Sequence, residues 1–108
     1  PLPGIVSILH RVSGAGLFLM LPVLLSLFAN SVGSPESYAA YKAVVGNIFV
    51  KLLLLGLLWA YLHHFCAGIR FLLLDVHVGV EKEAARNSSR IVLIVSLLLT
   101  AFIGAKLW

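Results

Sequence analysis

Charge is scarce in this chain: of 108 residues only 11% are Asp, Glu, Lys or Arg, and the acids number four. Soluble domains carry about 25% charged residues, and 61% of this sequence is hydrophobic. That balance excludes a water-soluble globule and describes a membrane protein. Cysteine is nearly absent. The single Cys66 can form no internal disulfide and supplies no cysteine set for zinc or an iron–sulfur cluster. It lies almost opposite His64 on a helix, which is the place of a small packing residue. No GxGxxG, HExxH, paired-cysteine or phosphate-loop motif occurs, which argues against a self-contained enzyme. The net charge of +4 comes without a basic patch interleaved with aromatics. It is read as orientation in a bilayer, not as nucleic-acid binding. Asn87-Ser88-Ser89 matches a glycosylation acceptor formally, but the charge pattern places it on the cytoplasmic side. The chain opens on Pro1 and not on methionine, from which a preceding segment is expected.

What is present is three apolar runs. Residues 12–29 form an uncharged stretch of 18, at the lower end of the ~17–25 that cross a bilayer. The weakly polar residues before it allow a longer, tilted helix, and Pro22 is expected to bend it. Lys51 and Arg70 bracket a second run of 18 residues interrupted only by His63 and His64, with both cations expected to snorkel to the boundaries. The third, residues 91–105, lies between Arg90 and Lys106 and carries no ionisable group, so it reads as a packing helix. Between the first two runs, Ser34-Pro35-Glu36 has the pattern of an N-cap, a proline at the first helical position and an acid near the positive helix end. A short surface helix ending at Gly46 follows. Residues 76–90 read as a polar loop. The expected architecture is all-α: one integral membrane domain over 1–108, a three-helix bundle with a short connecting helix and spans at about 5–30, 47–75 and 89–108. Arg11, Arg70, Lys82, Arg86 and Arg90 lie at one face of the membrane; Lys42, Lys51 and Lys106 lie at the other. The positive-inside rule puts the N-terminus and residues 76–90 in the cytoplasm or the mitochondrial matrix.

Ionisable groups are costly inside a membrane, so the stretch 59–75, WAYLHHFCAGIRFLLLD, draws attention. At about 100° per residue, His64, Gly68, Phe71 and Asp75 share one narrow stripe, and His63 and Arg70 a second. A glycine one turn from a histidine removes bulk where a flat group could lie. His64 therefore has two readings: an axial ligand of haem iron, or a membrane histidine bonded to a neighbouring helix. His63 points about 100° away and cannot ligate the same iron. Three helices do not easily enclose a cofactor, so a sixth ligand is expected from another subunit. A second constellation, SILHRVSG, sets Ser7, His10, Arg11 and Gly14 on one face near the membrane surface. Arg11 and His10 there are either ordinary interfacial residues or part of a hydroxyl, imidazole and guanidinium set that meets a polar ligand.

Taken together, SILHRVSG, SPESYAAY, HHFCAGIRFLLLD and the terminal LW resemble the cytochrome b subunit of succinate dehydrogenase over essentially the whole chain. The resemblance implies a haem b-binding membrane anchor of succinate:quinone oxidoreductase, an enzyme complex in which this subunit is not autonomous. It implies His64 as the axial iron ligand, Ser7 and Arg11 as ubiquinone-site residues and His10 close to the haem propionates. It places Arg70 and Asp75 in the closing motif. Phe71 stands where the family commonly has histidine, so any polar contact from that position to haem is in doubt. The implied partners are a second membrane anchor subunit supplying the other haem ligand, an iron–sulfur subunit, a flavoprotein subunit and the lipid membrane. Succinate oxidation belongs to those other chains, and none of this chain's residues is expected to act on succinate. The expected location is the bacterial inner membrane, with the mitochondrial inner membrane as the alternative. Two other readings stay open: a haem-free anchor that only tethers soluble subunits, and a small proton or ion transport subunit. The second would usually show internal repeats or more intramembrane carboxylates.

Overall fold

The computed structural model describes residues 1–108 as four α-helices. In chain order they are α1 (Leu2–Gly33), α2 (Pro35–Val45), α3 (Ile48–Asp75) and α4 (Lys82–Leu107). The three long helices are long and apolar enough to cross a membrane. The helix α3 runs antiparallel to both α1 and α4 in an elongated body of 55 × 23 × 18 Å. The helix α1 continues through Pro22. Ser34 starts α2 as the sequence suggests: its hydroxyl accepts from the Ser37 N–H at 3.0 Å and Ser37 returns the bond at 2.8 Å, satisfying two of the free donors of the first turn. Asn47 does the same for α3, accepting from Phe49 N–H at 2.9 Å.

Residues 76–90 are not one polar loop. The turn is short, and α4 begins at Lys82. The reason lies at the end of α3, where the Val78 N–H reaches the Leu73 carbonyl and the His77 N–H reaches the Leu74 carbonyl. His77 itself has φ 62°. This is the Schellman arrangement with histidine in the left-handed position usually given to glycine, and it reverses the chain within a few residues. The cations Lys82, Arg86 and Arg90 therefore lie along one helix, one turn apart.

The interior is small and mostly polar. The buried residues are Val6, Ala67 and Val92 together with Ser13, His63, Arg70, Ser89, Ser96 and Thr100, with Gly104 in line on α4. Most large aliphatic and aromatic side chains face outward, where a bilayer or a partner subunit meets them. In lipid there is no hydrophobic drive between helices, so association rests on close packing of small residues and on interhelical hydrogen bonds. The helix α4 presents Ser89, Val92, Ser96, Thr100 and Gly104 at helical spacing to α3. A Cβ added at Gly104 would come within 2.7 Å of Leu55 Cδ1, so the missing side chain lets Leu55 lie against α4 in its present position.

Candidate functional site

The residues that meet across the α1–α3 contact are His10, Ser13 and Gly14 from one helix and His64, Gly68 and Phe71 from the other. In a helix, the side chain four residues on covers a carbonyl. Gly14 leaves that of His10 bare. The His64 ring comes in over Gly14 so closely that an added Cβ would stand 2.8 Å from its Cε1 and 3.3 Å from its Nδ1. In that position Nδ1 lies 3.1 Å from the His10 carbonyl oxygen and 3.2 Å from Ser13 Oγ. A carbonyl can only accept, so Nδ1 carries the proton and donates. Ser13 also donates to the same carbonyl at 2.9 Å. With the Nδ1 proton directed at that carbonyl, Nε2 is the ring nitrogen that presents a lone pair.

The His10 ring stacks on that of His64, with centroids 4.2 Å apart and planes 9° from parallel. Phe71 closes on the other side of His10 at 5.1 Å. Gly68 lies beside the His10 ring, where a Cβ would make ordinary contact with His10 Nε2 at 3.8 Å. Five of the residues that the sequence singled out, His10, Gly14, His64, Gly68 and Phe71, are thus brought into one cluster. The face proposed for SILHRVSG is divided, however. His10 and Gly14 turn to α3, whereas Ser7 is half-buried and Arg11 exposed. A stripe of i, i+3, i+4 and i+7 positions covers a wide arc, and α3 takes only one edge of it.

His63 and Arg70 also share a face, and both are buried, His63 completely and Arg70 to within 6%. Arg70 does not snorkel to the boundary. Its Nε donates to Ser88 Oγ at 2.9 Å and its Nη2 approaches the Ala85 carbonyl at 3.4 Å, both on α4. The early start of α4 is what brings these partners within reach. The contacts Arg70 to Ser88 and Leu55 to Gly104 fix the antiparallel register, which sets His63 level with Ser96 and Trp59 level with Thr100. Both hydroxyls bond carbonyls of their own helix. Neither His63 ring nitrogen nor Trp59 Nε1 has a hydrogen-bond partner; the Val6 carbonyl approaches His63 without completing a bond. An unpaired buried polar group costs about 1–3 kcal/mol. His63→Phe, which keeps the volume and the 5.1 Å packing on Trp59, is therefore expected to raise the thermal midpoint of the purified protein in detergent. A fall in the midpoint would mean that the imidazole finds a partner.

Sequence reasoning passed over Ser13. The signal was present, since Ser13 is adjacent to Gly14 in the same motif, but only the crossing of α1 over α3 shows which hydroxyl meets His64. The polar stripe of α4 was likewise legible as a repeat of small residues every three or four positions. No group of three or more His, Cys, Asp or Glu side chains gathers to hold a free metal ion. What this chain offers a metal here is one imidazole nitrogen with its ring already oriented.

This membrane chain of three spanning helices, with His10 and His64 stacked between the first two, matches known proteins along most of its length. Residues 1–103 match the succinate dehydrogenase/fumarate reductase transmembrane subunit family, and the chain belongs to that family. It is 34% identical to the succinate dehydrogenase cytochrome b556 subunit of Coxiella burnetii, covering 100% of this chain and 87% of that protein. It is 32% identical to the subunit of the same name in Paracoccus denitrificans, covering 92% and 76%, and 30% identical to that of Rickettsia felis, covering 87% and 73%.

Proposed function

We propose that this chain is the haem b-carrying membrane anchor of a bacterial succinate:ubiquinone oxidoreductase, seated in the inner membrane beside a second anchor subunit. An iron–sulfur subunit and a flavoprotein subunit would bring electrons from succinate to it. The observation that carries this reading is His64, whose Nδ1 is tied to the His10 carbonyl and Ser13 while Nε2 is unengaged. Metal-bound histidines characteristically donate their other ring nitrogen to a carbonyl or carboxylate, which fixes the ring and raises its basicity. One imidazole per chain suits haem iron, which His64 would hold from this chain while a partner subunit would complete its coordination. Bound at His64, haem would supply a one-electron store near the site of quinone reduction. Gly14 and Ser13 set the ring, and His10 lies where a propionate could be met.

Ser7 and Arg11 are assigned to ubiquinone. They stand one turn apart on α1, Ser7 half-buried and Arg11 exposed. Reducing a quinone to a quinol takes two electrons and two protons, and negative charge develops on its oxygens as electrons arrive. The Ser7 hydroxyl can donate to one quinone carbonyl. The Arg11 guanidinium supplies a permanent positive charge close to the developing anion. Arginine keeps its proton at working pH, so both protons must come from water or from residues of the partner subunits.

The test is a visible difference spectrum of the complex purified in detergent, reduced first with succinate and then with dithionite. A b-type haem band developing with succinate is the expected result. A band that needs dithionite would separate the haem from the succinate pathway, and no band in an intact complex would favour a haem-free anchor.

A further inference from the structure

On the side of α3 away from His64, the end of α3, the turn after it and the start of α4 form an open-sided cavity of about 370 Å³. Its wall is mainly aliphatic, with Ile69, Leu73 and Leu74 from α3, and Val92 and Val95 from α4. Val78 joins the wall because the Schellman turn folds it back onto the last turn of α3. Two polar side chains interrupt this lining at one end, Arg70 and Ser88. Arg70 is only 6% exposed, and its partners in this chain, Ser88 and the Ala85 carbonyl, are neutral. No carboxylate approaches it. A guanidinium has five N–H donors in a fork suited to phosphate, and two bonds leave most of them unused. A buried cation without a counter-charge in its own chain is costly, which makes Arg70 a candidate to pair with an anion from outside it.

We propose that this cavity is a binding site for an anionic phospholipid of the surrounding bilayer, with the phosphate at Arg70 and part of one acyl chain along the aliphatic wall. The volume is in the range of ligand clefts, about 300–1,000 Å³. A hydrocarbon chain asks for no hydrogen bonds from such a lining. The neighbouring surface has the matching charge. Lys82, Arg86 and Arg90, with Glu83 and Asn87, line a wholly polar recess of about 340 Å³ on the first turns of α4, and clusters of cations at the membrane surface concentrate anionic lipids. The site is independent of the haem and quinone assignments and requires only that the helices stand in a bilayer.

The test is native mass spectrometry of the intact, delipidated complex titrated with phosphatidylglycerol or phosphatidylcholine. The wild-type complex is expected to retain one phosphatidylglycerol that phosphatidylcholine does not replace. Arg70→Gln should weaken that binding by roughly tenfold, the scale of one charge-assisted contact, and Arg70→Lys by less. Val95→Trp, which fills the wall and leaves Arg70 in place, should weaken it as well, and decides the matter if the Arg70 variants do not assemble. Phosphatidylglycerol retention unchanged in Val95→Trp, or equal retention of the two lipids by the wild-type complex, would overturn the proposal.

Discussion

Replacing His64 with alanine is expected to abolish the b-type haem spectrum of the assembled complex while the four helices still fold. His64 is only half-buried and its two hydrogen bonds are made to one point of α1, so its removal takes away an iron ligand without emptying a core. The same position offers a finer test. In Gly14→Ala the new methyl would stand 2.8 Å from His64 Cε1, closer than carbon atoms approach. The ring must then withdraw, and its bond to the His10 carbonyl lengthens. Loss of an orienting contact of this kind typically costs 10–100-fold in metal affinity, so Gly14→Ala is expected to keep the ligand and yet retain haem poorly. Ser13→Ala removes only the weaker of the two contacts and should act in the same direction, less strongly, with a shift in the haem midpoint potential. Full haem content with an unchanged spectrum in His64→Ala, measured on intact complex, would remove the ligand assignment.

Arg11→Ala is expected to lower ubiquinone reduction by about two orders of magnitude, the effect of removing one preorganised stabiliser of developing charge. Succinate oxidation measured with an artificial acceptor should stay near the wild-type rate, because that acceptor takes its electrons before the membrane site. Arg11 is exposed on α1, so the substitution leaves the packing between helices intact and the two assays can be compared directly. Arg11→Lys should recover part of the activity, since it restores the charge without the fork. Normal quinone turnover in Arg11→Ala would mean that the guanidinium is an interfacial anchor only. A loss of both activities would instead place Arg11 in subunit assembly.

Much of the architecture was legible in residue order because a bilayer is a demanding solvent. Every backbone group in it must be satisfied internally, so an apolar run of sufficient length has helix as its only isolated solution. The lengths of the three runs and the Ser34-Pro35 cap therefore set the helices almost directly. The stripe of His64, Gly68 and Phe71 was legible for the same reason, since positions on one helix are fixed by the 3.6-residue period. The turn after α3 was not. Histidine is an unusual residue in a left-handed position, and nothing in the charge pattern of residues 76–90 reveals that Val78 folds back to Leu73.

By itself, then, the sequence determined that this is a membrane protein of three long helices, which side chains lie together on each of them, and that its two histidine-bearing motifs resemble one family. Tertiary structure alone decided what each stripe faces. The crossing of α1 over α3 at Gly14 selected the His10 carbonyl and Ser13 as partners of His64. The register of α3 against α4 turned Arg70 inward to Ser88 and left His63 buried without a partner. Helical periodicity fixes angles within one helix, but the rotation of one helix against another depends on where small residues allow backbones to approach, and that is a property of both helices at once.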